Sequence, residues 1–173
     1  MSKVDELDLQ WLIDRAAISD VVHAYATGLD RRDWKGFRSI FTDTIEMDFQ
    51  SIGLRPDRYD ADQWVDDARR LFAGFEATQH TSTNHVHEIR GDAATCVSNM
   101  QATHFVARKP NDGLENGADC WTIGGYYINE LVRSVDGWKL TRIKLTVTWQ
   151  TGNRGLPRIA LQRGRDLESA SRR

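Results

Sequence analysis

The stretch that decides the fold is residues 81–107, TSTNHVHEIRGDAATCVSNMQATHFVA. Polar and apolar side chains alternate along two runs within it, residues 81–90 and residues 93–107, and such alternation is typical of β-strands. The Gly91-Asp92 pair between the runs is typical of a tight turn. Two antiparallel strands are therefore predicted in the middle of the chain.

The same pattern continues toward the C-terminus. After a loop rich in Pro, Asn and Gly, residues 118–133 and 138–150 form two more alternating runs. A second turn, at Asp136-Gly137, separates them. The second half of the chain is thus predicted to be a meander of long antiparallel strands.

The residues before this meander have a helical periodicity instead. Over residues 7–28 the apolar side chains recur at spacings of three, four and seven, which is typical of an amphipathic helix. This stripe consists of Leu7, Trp11, Ile18, Val22, Tyr25 and Leu29. Residues 34–41 predict a second, shorter helix, and residues 60–75, which begin with a capping aspartate, predict a third. Residues 45–52 are expected to form a strand between them.

Helices first and a strand meander second are typical of an α+β domain in which helices cover one face of a sheet. We expect a cone-shaped, curved antiparallel sheet that is covered by the N-terminal helices and encloses a pocket. One domain over residues 1–173 is expected. The arginine-rich tail is expected to be helical after Pro157 and flexible from about residue 160.

The composition limits the classes of function. With 173 residues, 40% of them hydrophobic, the chain is long enough to bury a sizeable core. No stretch is long and apolar enough to cross a membrane, and the net charge of −2 gives no basic surface for nucleic acid. The N-terminus has no secretory pattern, so a cytoplasmic protein is expected. Cys96 and Cys120 lie in predicted strands without disulfide or metal spacing, and no chemical role is predicted for them.

Two segments carry residues that suit acid–base chemistry. Asp30 ends the first helix, five residues after Tyr25, and His80 begins the first long strand. A carboxylate bonded to one imidazole nitrogen leaves the other nitrogen to take a proton near neutral pH. A phenol can donate a hydrogen bond to a developing oxyanion. These three residue types suffice for an elimination or an enolisation without a metal or another cofactor.

Structural roles are the alternative for the same residues. Asp30 could end the helix or pair with Arg31 or Arg32, and His80 could cap the third helix. On an ideal helix at about 100° per residue, Asp30 lies about 140° around from Tyr25. Both side chains reach one pocket only if the helix breaks near its end or the pocket is wide.

A metal site is a further alternative. His85 and His87 are alternate residues of a predicted strand and therefore share a face, with Glu88 beside them. A third ligand would have to come from His80 or His104. A solvated strand face explains the pair more simply, and no metal is predicted.

The sequence resembles the SnoaL-like family, whose members share the cone of the nuclear-transport-factor-two-like superfamily. Residues 15–31 are similar to the first helix of that family, and residues 80–84, HTSTN, are similar to its base-bearing segment. The stretches GGYY (residues 124–127) and DGWK (residues 136–139) match the last two strands. The likeness spans about residues 9–151.

This resemblance implies a lyase in which His80 abstracts a proton and Asp30 orients it. Hexachlorocyclohexane dehydrochlorinase has a lysine at the position of Tyr25, and scytalone dehydratase has a tyrosine at the position of Leu29. Bile acid 7α-dehydratase is similar in the spacing from Tyr25 to Asp30. The resemblance thus implies loss of water, or a related carbon–carbon cleavage, from a hydrophobic cyclic or aromatic molecule. Isomerisation is one alternative, and a non-catalytic oxygenase-type subunit or small-molecule carrier is another.

Four more residues are candidates for substrate binding. His104 follows His80 at the spacing of a second active-site histidine in scytalone dehydratase, although an ordinary strand histidine explains it equally well. Asn84 ends the base-bearing segment, and Trp121 and Trp149 lie on strands expected to wall the pocket. The resemblance also implies a homo-oligomer, a trimer or a dimer, with no nucleic-acid or membrane partner.

Overall fold

The computed structural model describes residues 3–108 and 118–171. The predicted loop rich in Pro, Asn and Gly falls largely on residues 109–117, outside the described residues. The helices are α1 (Lys3–Arg31), α2 (Trp34–Ser39), α3 (Ala61–Phe72) and α4 (Leu156–Ser171). The strands are β1 (Phe41–Asp48), β2 (Asp57–Asp60), β3 (Ala77–Arg90), β4 (Ala93–Phe105), β5 (Cys120–Ser134) and β6 (Gly137–Gly152). The predicted α+β class is confirmed.

The six strands form one curved sheet in the order β2-β1-β6-β5-β4-β3. Strands β3 to β6 form the predicted antiparallel meander. The expectation of a wholly antiparallel sheet is wrong at one pair, because β1 runs parallel to β6. The strand predicted over residues 45–52 begins earlier, at Phe41, and residues 50–52 form a single 3₁₀ turn. The short strand β2 carries no alternating pattern and was not predicted.

Helix α1 packs across the inner face of this sheet. Four residues of the predicted stripe are buried: Ile18, Val22, Tyr25 and Leu29. The N-terminal part of the helix is different, because its large apolar side chains are about half exposed; these are Leu9, Trp11, Leu12 and Ile13. At the other end, a Cβ on Gly28 would lie 2.9 Å from Cβ of Phe37. Glycine there lets α2 pack closely against α1.

A buried ion pair connects the first half of α1 to the far end of the sheet. Both guanidinium nitrogens of Arg133 donate to the Asp14 carboxylate at 2.7 Å, and Trp138 Nε1 donates to it at 3.1 Å. Asp14 is 4% exposed. The hydrogen bonds from Arg133, opposed by burial, lower the pKa of Asp14 to about 2. Asp14 therefore stays ionised across the neutral range.

The tail is a helix that packs on α3. Leu156 and Ala160 are fully buried, and Arg70 pairs with Glu168 at 3.2 Å. The predicted helix after Pro157 is present, and it continues without a break past residue 160, where a flexible end had been expected. Among the described residues, none of the helices has the length and apolar character needed to cross a membrane.

Candidate active site

The end of α1 and the start of β3 meet at Asp30 and His80. The Nδ1 atom of His80 lies 2.7 Å from Oδ1 of Asp30, which is hydrogen-bond length. The backbone N–H of His80 donates to the second carboxylate oxygen at 2.7 Å. The His80 side chain is 8% exposed and that of Asp30 is 20% exposed. The two residues thus form a largely buried carboxylate–imidazole pair.

Thr78 and Arg32 extend this pair. The Thr78 hydroxyl donates to Oδ1 of Asp30 at 2.9 Å and accepts from Nη1 of Arg32 at 3.0 Å. The guanidinium of Arg32 also lies over the Phe72 ring, 5.2 Å from its centroid. Arg32 therefore contacts Asp30 through Thr78 and not as the direct ion pair considered from the sequence.

These contacts set the charge of Asp30. Burial raises its pKa, but the hydrogen bonds from the His80 ring, the His80 backbone and Thr78 together outweigh burial. The pKa of Asp30 consequently lies below its ordinary value. An ionised carboxylate only accepts hydrogen bonds, so we assign the Nδ1 proton to His80 and the basic lone pair to its Nε2.

Tyr25 reaches the same region without a break in α1. The helix continues through Arg31, so Tyr25 and Asp30 leave it in different directions. Tyr25 contacts Tyr127 on β5, with ring centroids 5.8 Å apart, while Asp30 reaches β3. Burial, and then the neighbouring Tyr127, raise the pKa of Tyr25 well above its ordinary value. Tyr25 therefore stays a neutral phenol.

A small enclosed cavity lies beside the His80 and Tyr25 side chains. Its lining comprises Val22, Tyr25, Ala26, His80, Thr81, Ser82, Met100, Gln101, Tyr127, Asn129 and Ile143. The cavity volume open to the centre of a water molecule is about 10 Å³, which is room for about one water. A ring-sized ligand fits only if lining side chains move apart.

His104 and Trp121 lie next to His80 but outside this lining. The His104 ring is 5.3 Å from that of His80 and 5.0 Å from that of Trp121, measured between centroids. Burial, followed by the nearby His80, lowers the pKa of His104 to about 3. His104 is therefore neutral, and its buried Nδ1 has no hydrogen-bond partner in the part of the chain that the structure describes.

The other two predicted binding residues lie away from the cavity. Asn84 is exposed on a bulge of β3 and has a φ of 56°. Trp149 is 47% exposed and pairs across the sheet with Gly124. Gly124 alternates with the buried Ile123, so Trp149 lies on the outer face of the sheet. Neither residue lines the cavity, and their contact with substrate stays a prediction.

Strand β5 contributes two polar residues to the cavity wall that were not predicted. Tyr127 and Asn129 are both buried and line the cavity. Among the described residues, the Asn129 side-chain nitrogen has no hydrogen-bond partner. Alternation from Ile123 would have placed both residues on the inner face, so period-two counting along β5 was the available signal.

The placement of His85 and His87 also differs from the prediction. The structure places both rings against α1, where they bond to the Ser19 hydroxyl at 3.0 and 2.9 Å. Both residues are partly buried. The expectation of a solvated strand face is therefore wrong.

The fold and site together define an α+β cone with a buried carboxylate–imidazole pair beside an internal cavity. A model of the SnoaL-like domain matches residues 10–144, which is most of the chain. The chain therefore belongs to the SnoaL-like family. A comparison with curated proteins finds no match.

Solved structures agree with this family. The Kfla4162 protein of Kribbella flavida is 34% identical, covers 84% of this chain and 97% of its own, and has a TM-score of 0.77. A candidate aromatic ring hydroxylase of Novosphingobium aromaticivorans is 26% identical over 84% and 97% of the two chains, with a TM-score of 0.71. A hexachlorocyclohexane dehydrochlorinase is 23% identical over 83% and 91%, with a TM-score of 0.69, and this likeness shows the fold alone.

Proposed function

We propose that the protein is a metal-independent lyase that removes a proton and a β-leaving group, most simply water, from a hydrophobic cyclic molecule. The observation that carries this proposal is the 2.7 Å contact between His80 Nδ1 and Asp30, next to an internal cavity. A base that is oriented by a buried carboxylate is the arrangement that general base catalysis requires.

The proposed reaction begins at the His80 ring. Asp30 holds Nδ1–H, so Nε2 takes a proton from the carbon next to a carbonyl group of the substrate. The imidazolium that forms is stabilised by the ionised Asp30 at hydrogen-bond distance. Thr78 keeps the same carboxylate oxygen fixed during the transfer.

The electrons of the broken C–H bond move to the carbonyl oxygen, which becomes an enolate. Tyr25 and Tyr127 line the cavity, and burial raises the pKa of both phenols. Both therefore stay protonated and can donate a hydrogen bond to the enolate oxygen. A neutral donor in a water-poor site stabilises such an oxyanion. The enolate then expels hydroxide from the β-carbon, and the His80 imidazolium returns its proton to give water. The products are an unsaturated ketone and one water molecule.

The substrate has to open the cavity. The lining combines apolar residues, among them Val22, Met100 and Ile143, with polar ones. Met100 is the residue most easily displaced, because its unbranched side chain has three rotatable bonds. The mixture of apolar wall and phenol donors favours a ring compound that carries one carbonyl and one hydroxyl group.

The test is turnover of β-hydroxy ketones of increasing ring number. One useful member is 3-hydroxy-1-tetralone, which loses one water to give fluorescent 1-naphthol. Reactions in D₂O, followed by NMR, also report proton abstraction that does not proceed to elimination. We expect exchange or elimination with at least one member, and loss of about a hundredfold or more in Asp30→Asn, because that variant no longer fixes the tautomer.

The matched control is Asp92→Asn, which removes an exposed carboxylate that pairs with Arg133 at 3.0 Å, far from the cavity. It should retain full activity. Absence of exchange and elimination across the whole series, or equal activity in Asp30→Asn and the wild type, would contradict the proposed lyase.

A non-catalytic oxygenase-type subunit or small-molecule carrier is the second candidate function, and the 26% identical candidate aromatic ring hydroxylase makes aromatic compounds the first ligands to test. In that case the purified chain binds ring compounds without changing them, and Asp30→Asn binds as well as the wild type. Calorimetry with the same ketones measures binding, and the turnover assay measures product. A lyase forms product and loses this activity in Asp30→Asn, whereas a carrier binds the ketones and forms no product.

A further inference from the structure

A second group of polar side chains lies where the middle of α1 packs on β3 and β4. His85, His87 and Cys96 each offer one donor atom, and the three atoms lie within 4.8 Å of one another. Cys96 is fully buried and is paired with His87 across the two strands. None of these residues lines the cavity beside His80.

A β-bulge brings both imidazoles to the inner face. Simple alternation would place His85 on the face opposite to Ser82, but the register shifts between Thr83 and Val86. Asn84 takes up this shift with a left-handed φ of 56°, a conformation that asparagine tolerates better than most residues. The bulge thus turns His85 inward beside His87.

The two imidazoles converge on one point. His85 Nδ1 lies 3.0 Å and His87 Nε2 lies 2.9 Å from the same hydroxyl oxygen, that of Ser19. The second nitrogen of His85 bonds to the Ser82 hydroxyl at 2.9 Å. Such an outer hydrogen bond fixes the tautomer of a metal-binding histidine and orients its ring.

A neighbouring buried group also lacks a partner. Asn129 faces Cys96 across β4 and β5 and is 3% exposed, and within the described residues its side-chain nitrogen has no hydrogen-bond partner. Ser98, two residues along β4, has a fully buried hydroxyl that is likewise unpaired within the described residues. The Asn129 nitrogen is a donor beside the cavity, so it can bond to a thiolate or a water but not to a cation.

We propose that His85, His87 and Cys96 form a zinc-binding site in which two imidazoles and one thiolate hold the ion and a fourth position stays open. Zinc takes nitrogen at about 2.0 Å and sulfur at about 2.3 Å, so tetrahedral donors lie about 3.5 Å apart. The three donors need to close by about 1 Å. The fourth position is open to a water molecule or to the Ser19 hydroxyl.

The charge of the site sets the cost of binding. Burial is the main cause that lowers the pKa of both histidines, so both are neutral ligands at neutral pH. Binding releases the thiol proton of Cys96 and therefore becomes tighter as pH rises. Arg15 lies close enough to depress both imidazole pKa values, and its charge opposes the cation. The thiolate offsets this repulsion.

The site is separate from the acid–base pair. Cys96 and Ala102 lie six residues apart on β4, about 20 Å at about 3.3 Å per residue, and Ala102 is the residue that faces His80. Zinc would therefore join β3 to β4 beneath the middle of α1, without contacting Asp30 or His80. Its expected effect is on stability, not on turnover.

The experiment is a zinc titration of chelator-treated full-length protein against a chromophoric competitor, with cobalt as a spectroscopic probe. We expect one ion per chain, a thiolate-to-cobalt charge-transfer band, and a Tm rise of about 5 °C or more at zinc a hundredfold above Kd. Cys96→Ser should lose the band, and His87→Gln should bind zinc at least about tenfold more weakly.

Cys120→Ser is the matched control, since Cys120 is the other free cysteine and lies on β5. It should keep the band and the affinity. Absence of stoichiometric binding at micromolar zinc, or unchanged binding in both Cys96→Ser and His87→Gln, overturns the proposal. These readouts need no substrate, so they stand even if the lyase proposal fails, and loss of turnover on chelation would overturn the separation of the two sites.

Discussion

Helix α1 meets the sheet through two carboxylates, and the two are used differently. Asp14, in the first half of the helix, accepts from both guanidinium nitrogens of Arg133 and from the Trp138 indole. Asp30, at the end of the helix, accepts from the His80 ring and from Thr78. Both carboxylates have a lowered pKa, and both join helix to strand.

The difference lies in the partner. Arg133 is charged at every physiological pH and Trp138 only donates, so the contacts of Asp14 are permanent. The His80 ring takes and returns a proton in the proposed reaction, and Asp30 at hydrogen-bond distance stabilises the imidazolium that forms. A carboxylate on a helix is therefore structural or functional according to whether its partner exchanges a proton.

The largest effect is expected when Asp30 loses its proton-exchanging partner, His80. His80→Gln keeps a polar side chain but removes the base, and we expect kcat/KM to fall about a thousandfold. Tm should change by only a few degrees. Steady-state kinetics on the substrate identified among the ketones, with thermal unfolding as a control, measures both, and a variant that keeps its activity would end the functional assignment of Asp30.

The corresponding change in the first half of α1 is Asp14→Ala. It leaves the Trp138 indole and the two terminal nitrogens of Arg133 without this acceptor, while Nε of Arg133 keeps Asp92, and we expect the free energy of unfolding to fall by about 3 kcal/mol. Urea denaturation measures this loss. The kcat of the protein that remains folded should be unchanged, and a large drop in kcat would show that the two ends of α1 are coupled.

Acid should remove the contribution of Asp14 to the free energy of unfolding in a defined pH range. The pKa of Asp14 is lowered to about 2, against an ordinary value of about 3.9 in the unfolded chain. Its contribution is therefore nearly complete above about pH 4 and is lost as pH falls toward 2, about 3 kcal/mol in all. The free energy of unfolding is measured against pH for the wild type and for Asp14→Asn. The difference between the two curves gives the contribution of Asp14.

His104 titrates in both proteins and cancels in that difference. Its pKa is lowered to about 3, so it takes a proton more readily in the unfolded chain, and stability falls as pH drops below about 6.5. A difference curve that changes above pH 5 instead of below 4 would contradict the assignment to Asp14.

The smallest effect is expected at the hydroxyl that connects Asp30 to Arg32. Thr78→Val keeps the shape of the side chain and removes one donor, so kcat should fall by about tenfold or less, about 1 kcal/mol. The pH dependence of kcat/KM should shift as well, because Asp30 loses a hydrogen bond. An unchanged pH profile would limit Thr78 to a packing role.

The sequence predicts most of the fold because periodicity marks the elements directly. The stripe of α1 and the alternation of β3 to β6 are where expected, and the resemblance that singled out Asp30 and His80 is supported by their contact. The parallel pairing of β1 with β6 was missed, because strand direction depends on the path of the chain and not on local pattern.

The side chains whose sheet face was predicted wrongly lie directly after β-bulges. Thr148 is an extra residue opposite the Gly124-Gly125 step of β5, and this bulge sends Trp149 to the outer face although Val147 packs on the core. The bulge at Asn84 likewise turns His85 inward. One added residue reverses every later side chain, and the backbone angles that allow it cannot be read from alternation.

The parallel pairing of β1 with β6 also bears on how the chain folds. The Thr42 hydroxyl bonds to the Leu140 carbonyl, 98 residues away, and α1 packs on strands that come later in the chain. During synthesis, β1 can pair with β2 and α1 can pack on β3, but β1 lacks its parallel partner until β6 has left the ribosome. A chain with such distant contacts folds slowly for its size, and the open edge of β1 is exposed to wrong pairing during that wait.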